Sequence, residues 1–151
     1  MKRIIILSDT HGLLRPEVLD HLSQADAIIH GGDINTQAIV DKLQAFAPLY
    51  VVRGNNDKEW AEGLPLSLTF TIEGVRFFLV HNKRDAPPDL SDVDVVVYGH
   101  SHKYAYENQG DVLWVNPGSC GRRRFDQEIT IAVMTAENGQ FRVEKVTIPH
   151  E

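Results

Sequence analysis

The chain has 151 residues, of which 42% are hydrophobic and 24% charged, and a formal net charge of −6 at pH 7. These values exclude a disordered or fibrous chain and fit one compact domain over residues 1–151, while the negative field argues weakly against a dedicated nucleic-acid binder and leaves room for a local basic patch. No apolar run approaches the roughly 20 residues of a membrane-spanning helix, so no membrane role is expected. Ile4-Ile5-Ile6-Leu7 is too short for a signal-peptide core, and the lone Cys120 cannot form an internal disulfide, so the expected setting is the cytoplasm.

Ile4 to Ser8 is a short β-branched run that reads as a buried strand. Pro16 suits a first helical position, and Val18, Leu19 and Leu22 follow on one helical face. Ala27-Ile28-Ile29 predicts a second strand. Asn35 or Thr36 can cap a helix lined by Ile39, Leu43 and Phe46 and closed by Pro48, and Leu49 to Val52 predicts a third strand. Strand and helix in strict alternation favour parallel α/β topology.

The second half is richer in strands. Leu68, Phe70 and Ile72 alternate with threonines, and Glu73-Gly74 turns the chain into Val75 to Val80, a hairpin. Val93 to Tyr98 predicts a further strand. Asn108-Gln109-Gly110 is a turn, and Asn138-Gly139 joins Ile129–Met134 to Phe141–Ile148. Phe141 and Val143 are out of phase with Val146 and Ile148, which predicts a bulge near Glu144-Lys145.

The chemistry lies after the strands. The first ends in Ser8-Asp9-Thr10-His11-Gly12, the second in His30-Gly31-Gly32-Asp33 and the third in Arg53-Gly54-Asn55-Asn56-Asp57; the hairpin ends at His81, and the next strand in Gly99-His100-Ser101-His102. Each motif alone has a plain reading as a turn, a helix cap or a surface histidine. Together they put Asp, His and Asn after five core strands, at the edge where open α/β sheets build binding sites. Carboxylate, imidazole and amide oxygens suit divalent ions such as Mn²⁺, with iron, nickel, zinc or magnesium as alternatives. Seven candidates are too many for one tetrahedral ion and suit two ions sharing a carboxylate, an arrangement that clamps an in-line displacement at phosphorus.

In order and spacing these motifs resemble the calcineurin-like metallophosphoesterase superfamily, and among its members the small YfcE-like phosphodiesterases, with the Asn116-Pro117-Gly118-Ser119 turn as a further likeness. The resemblance implies a two-sheet β-sandwich flanked by helices, a four-layer α/β/β/α fold. It implies that Asp9, His11 and His102 hold one metal, that Asn55, His81 and His100 hold a second, and that Asp33 bridges them. A hydroxide between the ions would then attack a phosphodiester or phosphomonoester of small size. Where relatives often carry His, this chain has Asn56, which can donate a hydrogen bond but cannot serve as a general acid at neutral pH. Asp57 either orients a ligand or caps the turn. Lys83, Arg84 and the run Arg122, Arg123 and Arg124 are candidate phosphate contacts, with a solvated charge run as the alternative. A non-catalytic interaction scaffold on the same fold, as in the retromer subunit, is the rival function, and the complete set of seven ligands speaks against it.

Overall fold

Successive side chains of a strand point to opposite faces, so a continuous apolar run calls for a sheet covered on both sides. In the computed structural model, which describes residues 1–55, 57–121 and 128–148, β1 (Lys2–Leu7) meets that requirement. Ile4 and Ile6 face a second sheet, while Ile5 and Leu7 face helices. The chain continues through α1 (Pro16–Leu22), β2 (Ala27–His30), α2 (Gln37–Gln44) and β3 (Leu49–Val51), then β4 (Ser67–Ile72), β5 (Val75–Val80), β6 (Val95–Val97), β7 (Tyr104–Gln109), β8 (Val112–Pro117), β9 (Ile129–Glu137) and β10 (Gln140–Ile148).

The first sheet has the order β10-β9-β1-β2-β3 and the second β4-β5-β6-β8-β7. β1, β2 and β3 run parallel, as do β5, β6 and β8, so their C-terminal ends share one edge in each sheet. Ile4, Ile29, Phe77, Leu79, Val97 and Met134 fill the space between the sheets. Val18, Leu22 and Leu43 from the two helices close the outer face of the first sheet over Ile28 and Ile131. The outer face of the second sheet, Phe78, Val80, Val96, Tyr98 and Trp114, packs against Ala86, Leu90 and Val93, and among the described residues no α-helix covers it.

The β4–β5 and β9–β10 turns have positive φ at two successive residues, Glu73 (50°) and Gly74 (80°), and Asn138 (52°) and Gly139 (82°), as a tight type I′ connection requires. The two tips meet, with Gly139 N–H donating to the Glu73 carbonyl at 2.6 Å.

Two sequence expectations fail. The register of β9 with β10 runs without interruption from Gln140↔Glu137 to Ile148↔Ile129, so there is no bulge at Glu144-Lys145. The change of phase has another cause: Phe141 and Val143 pack into the space between the sheets, whereas Val146 and Ile148 pack on the helix side, so this edge strand is buried on opposite faces at its two ends. Phe46 does not line α2. The helix stops at Gln44, as expected where Ala47 precedes Pro48 and is biased away from helical geometry, and Phe46 is left 37% exposed. Asn56 and Arg122, Arg123 and Arg124 lie outside the described residues.

Candidate metal centre

The loops after β1, β2, β5 and β6 are held together by backbone bonds that extend the sheets. Asp9 N–H donates to the Gly32 carbonyl at 3.0 Å, His11 N–H to Asp33 at 3.0 Å, and Gly99 N–H to His81 at 2.9 Å. Asp9, His11, Asp33, His100 and His102 all take positive φ, between 46° and 74°. Each such residue costs about 1–2 kcal/mol, and strain of this kind collects at functional sites where the surroundings over-determine it. Close approach is part of that enforcement. A Cβ on Gly54 would collide with Asp33, and one on Gly99 with Ser8 and Asp9.

Two clusters result. Asp9, His11, Asp33 and His102 each offer an atom within 4.8 Å of the others, and so do Asp33, His81 and His100. In the first, the Nε2 atoms of His11 and His102 face each other at 3.3 Å. Asp9 Oδ1 lies 3.5 Å from His102 Nε2 and 3.8 Å from His11 Nε2, and Asp33 Oδ2 lies 3.8 Å from His11 Nε2. In the second, His81 Nε2 lies 3.2 Å from the same Asp33 Oδ2. Asn55 stands exposed in a cavity of about 580 Å³ whose wall includes His81 and His100.

The residues fit divalent metal ions. Ligands at about 2.1 Å from a tetrahedral ion stand about 3.4 Å apart, close to the separations seen here. Asp9 Oδ1 is buried and, among the described residues, has no hydrogen-bond partner, an arrangement that is costly unless something else satisfies it. The other oxygen of the same side chain is committed. Asp9 Oδ2 accepts from Ser8 Oγ at 2.7 Å and from His100 N–H at 3.2 Å. Burial pushes the Asp9 carboxyl up to about 7, against the pull of His81 and Ser8. Burial also opposes a charged His81, but the Asp33 carboxylate beside it and the charge of Asp9 prevail and hold its pKa above the ordinary value.

Neighbouring side chains set these positions. Asp57 Oδ1 accepts from Ile34 N–H at 2.9 Å and Asn35 N–H at 2.8 Å, and its Oδ2 accepts from Gly54 N–H at 2.9 Å. Both oxygens therefore tie the Asp33 loop to the Asn55 loop. His30 is fully buried: its Nδ1 accepts from Gly32 N–H at 3.0 Å and its Nε2 lies 3.2 Å from Thr10 Oγ1. Burial, reinforced by His81, lowers its pKa to about 3, so the ring is neutral. Asn116 donates from Nδ2 to the Gly99 carbonyl at 3.1 Å and to Ser101 Oγ at 3.0 Å, which fastens the His100–His102 loop to β8. Cys120 is buried, its thiol is pushed up to about 12 by burial, and it is unreactive.

Lys83 and Arg84 do not line the 580 Å³ cavity; they line a neighbouring one of about 340 Å³ that also includes His100. Sequence reasoning gave no role to Ser8, Arg53, Leu66 or Lys103, although Ser8 and Arg53 stand in the strand-end motifs immediately before Asp9 and Gly54.

Asp and His clusters raised on the strand ends of a two-sheet sandwich define a class, the metallophosphoesterases. Residues 1–139 match the calcineurin-like phosphoesterase superfamily domain, and the chain belongs to that superfamily of metal-dependent phosphoesterases. It is 31% identical over 128 residues to a probable metallophosphoesterase of Methanothermobacter thermautotrophicus, covering 76% of this chain and 74% of that protein. It is 31% identical over 146 residues to the phosphodiesterase YfcE of Escherichia coli K12, covering 79% of each. Among solved structures it is similar to Chaetomium thermophilum Vps29, with a TM-score of 0.79 and 25% identity over 97% of this chain and 98% of that one. No helix among the described residues is long and apolar enough to cross a membrane.

Proposed function

We propose that the chain hydrolyses small phosphodiesters, with phosphomonoesters as a second class, using two divalent ions held by Asp9, His11 and His102 on one side and Asn55, His81 and His100 on the other, with Asp33 shared. The observation that carries this reading is that Asp33 belongs to both ligand clusters. Such ions, when bound, bring the pKa of water toward neutrality and offset charge on phosphoryl oxygens.

The chain's own residues prepare the site. His81 Nδ1 donates to the Gly31 carbonyl at 2.7 Å, which leaves Nε2 as the ligand atom. Ser8 and the His100 N–H hold Asp9 so that Oδ1 turns inward. Asp57 acts as a positioning residue through its three backbone contacts, and Lys83 and Arg84 serve the substrate from the adjoining cavity. Oxygen and nitrogen donors without thiolate suit Mn²⁺ first, then iron, nickel, zinc or magnesium. A reducing cytoplasm suits the free, buried Cys120.

Similarity to Vps29 favours a second reading, an interaction scaffold on the same fold. Chelation followed by readdition of Mn²⁺ separates the two. Hydrolysis of bis(p-nitrophenyl) phosphate should vanish on chelation and return with the ion. Full activity of rigorously metal-free protein would sink the metal reading, and a metal-loaded protein that turns over no ester in a panel would leave the scaffold.

A further inference from the structure

We infer that the two cavities beside His100 receive the two arms of an asymmetric phosphodiester, one arm apolar and the other negatively charged. The inference rests on the phosphoesterase reading above and specifies its substrate class. The cavities, of about 580 and 340 Å³, have only Asn82 and His100 in common, so a phosphoryl group beside His100 stands where both open.

Their walls differ in chemistry. The larger cavity presents Leu66, 65% exposed, together with Val80. Leu66 is set in place by its neighbour, since Arg53 N–H donates to the Pro65 carbonyl at 2.9 Å. Ligand cavities that recognise an organic group combine such apolar surface with a few polar anchors. The Asp85 carboxylate on the same wall offsets the charge of Arg53, so this wall offers an anionic arm no surplus of cations comparable to that of the smaller cavity. The smaller cavity carries Lys83, Arg84 and Lys103 against one carboxylate, Glu107, in a chain whose formal charge is −6. The turn that carries Lys83 and Arg84 is fixed by a backbone contact, and the Lys83 ammonium lies over an aromatic ring. Lys83 Nζ sits 5.7 Å from the centroid of the Tyr98 ring, and the backbone N–H of Arg84 donates to Asn82 Oδ1 at 3.1 Å. An anionic arm is therefore drawn to the smaller cavity and an apolar arm to the larger.

Two p-nitrophenyl phosphodiesters that share their leaving group and differ only in the second arm, 3-carboxypropyl or butyl, test this. Metal-loaded wild type should prefer the carboxylate ester about fivefold in kcat/KM at low salt, and the ratio should shrink as ionic strength rises. Replacing the three exposed cations together (Lys83→Gln, Arg84→Gln, Lys103→Gln) should bring the ratio to about one, whereas Leu66→Ser should weaken both esters alike. Equal rates in wild type, or a ratio that survives the triple substitution, overturn the assignment. Calorimetric binding of the phenylphosphonate monoesters bearing the same two arms reads the ratio without turnover. Absence of hydrolysis with a preserved binding ratio would thus count against the phosphoesterase reading alone, and a binding ratio of one against the two-arm inference alone.

Discussion

His81 Nδ1 lies 2.7 Å from the carbonyl oxygen of Gly31, a residue fifty positions earlier and on the other sheet. The contact joins the end of β5 to the loop after β2 and turns Nε2 of the ring to within 3.2 Å of Asp33 Oδ2. A carbonyl accepts only from a protonated nitrogen, so the loop after β2 in the first sheet sets which nitrogen of a candidate ligand carried by the second is left facing Asp33. The site is thus assembled across the sandwich. Its ligands are fixed by how the two sheets stack.

Asp33 is the residue that both clusters need, so Asp33→Ala should weaken both metal sites while His102→Ala should mainly weaken one. Calorimetric titration of chelator-treated protein with Mn²⁺ checks this by stoichiometry. A single-site loss of equal size in both variants would remove Asp33 from the shared position.

Asp57 is 6% exposed and accepts three backbone N–H bonds from two loops. Asp57→Ala leaves those donors unmatched, a loss of about 3–5 kcal/mol. For a domain of this size each kcal/mol moves the melting temperature by about 2–4 °C, so the melting temperature should fall by about 6–20 °C. The variant should also bind metal less tightly, because the Asp33 and Asn55 loops lose their common anchor. An unchanged melting temperature would mean that the three bonds are dispensable.

His30 predicts a pH dependence with a definite sign. Its pKa is about 3 in the folded chain, lowered chiefly by burial, against an ordinary 6.5 when unfolded. Between those values the unfolded chain holds the extra proton, so the contribution of His30 is complete above about pH 6.5 and is lost as pH falls. In metal-free protein the stability advantage of wild type over His30→Gln should be largest at pH 7.5 and should shrink by up to about 1.4 kcal/mol per unit below pH 6. Urea unfolding of both proteins at several pH values measures that difference. A pH-independent difference would mean that the ring takes up its proton while buried.

The strands, and the Asp and His residues that the structure gathers into two clusters, were legible because both follow local rules. β-Branched runs mark strands, and polar residues that follow them mark the loops at the sheet edge. What local pattern cannot carry is which face of a strand is covered. Phe141 and Val143 look out of step with Val146 and Ile148 until the second sheet is seen to cover one end of β10 and the helix layer the other. The same holds for Asp57, whose partners Ile34 and Asn35 are more than twenty residues away, and for Leu66, whose place beside the site follows from the Pro65 contact with Arg53. Left-handed backbone at Asp9, His11, Asp33, His100 and His102 is equally invisible in sequence, because tertiary bonds impose it against the preference of each residue.

By the family resemblance of its motif Asn56 stands where a His is expected, and an amide cannot give a proton to a departing alkoxide at neutral pH. The wild-type rate should therefore fall steeply as the pKa of the leaving group rises, because the departing oxygen must carry its own charge. Asn56→His should flatten that dependence, since general acid catalysis typically contributes about 10²–10⁴-fold and does most for poor leaving groups. The comparison needs a graded series of aryl and alkyl phosphodiesters hydrolysed by both proteins at saturating metal. Aryl esters with acidic phenols should respond little to the substitution, and alkyl esters should respond most. A shallow dependence in wild type would show that another group supplies the proton. A slope that stays unchanged in Asn56→His would show that an imidazole at this position does not reach the leaving oxygen.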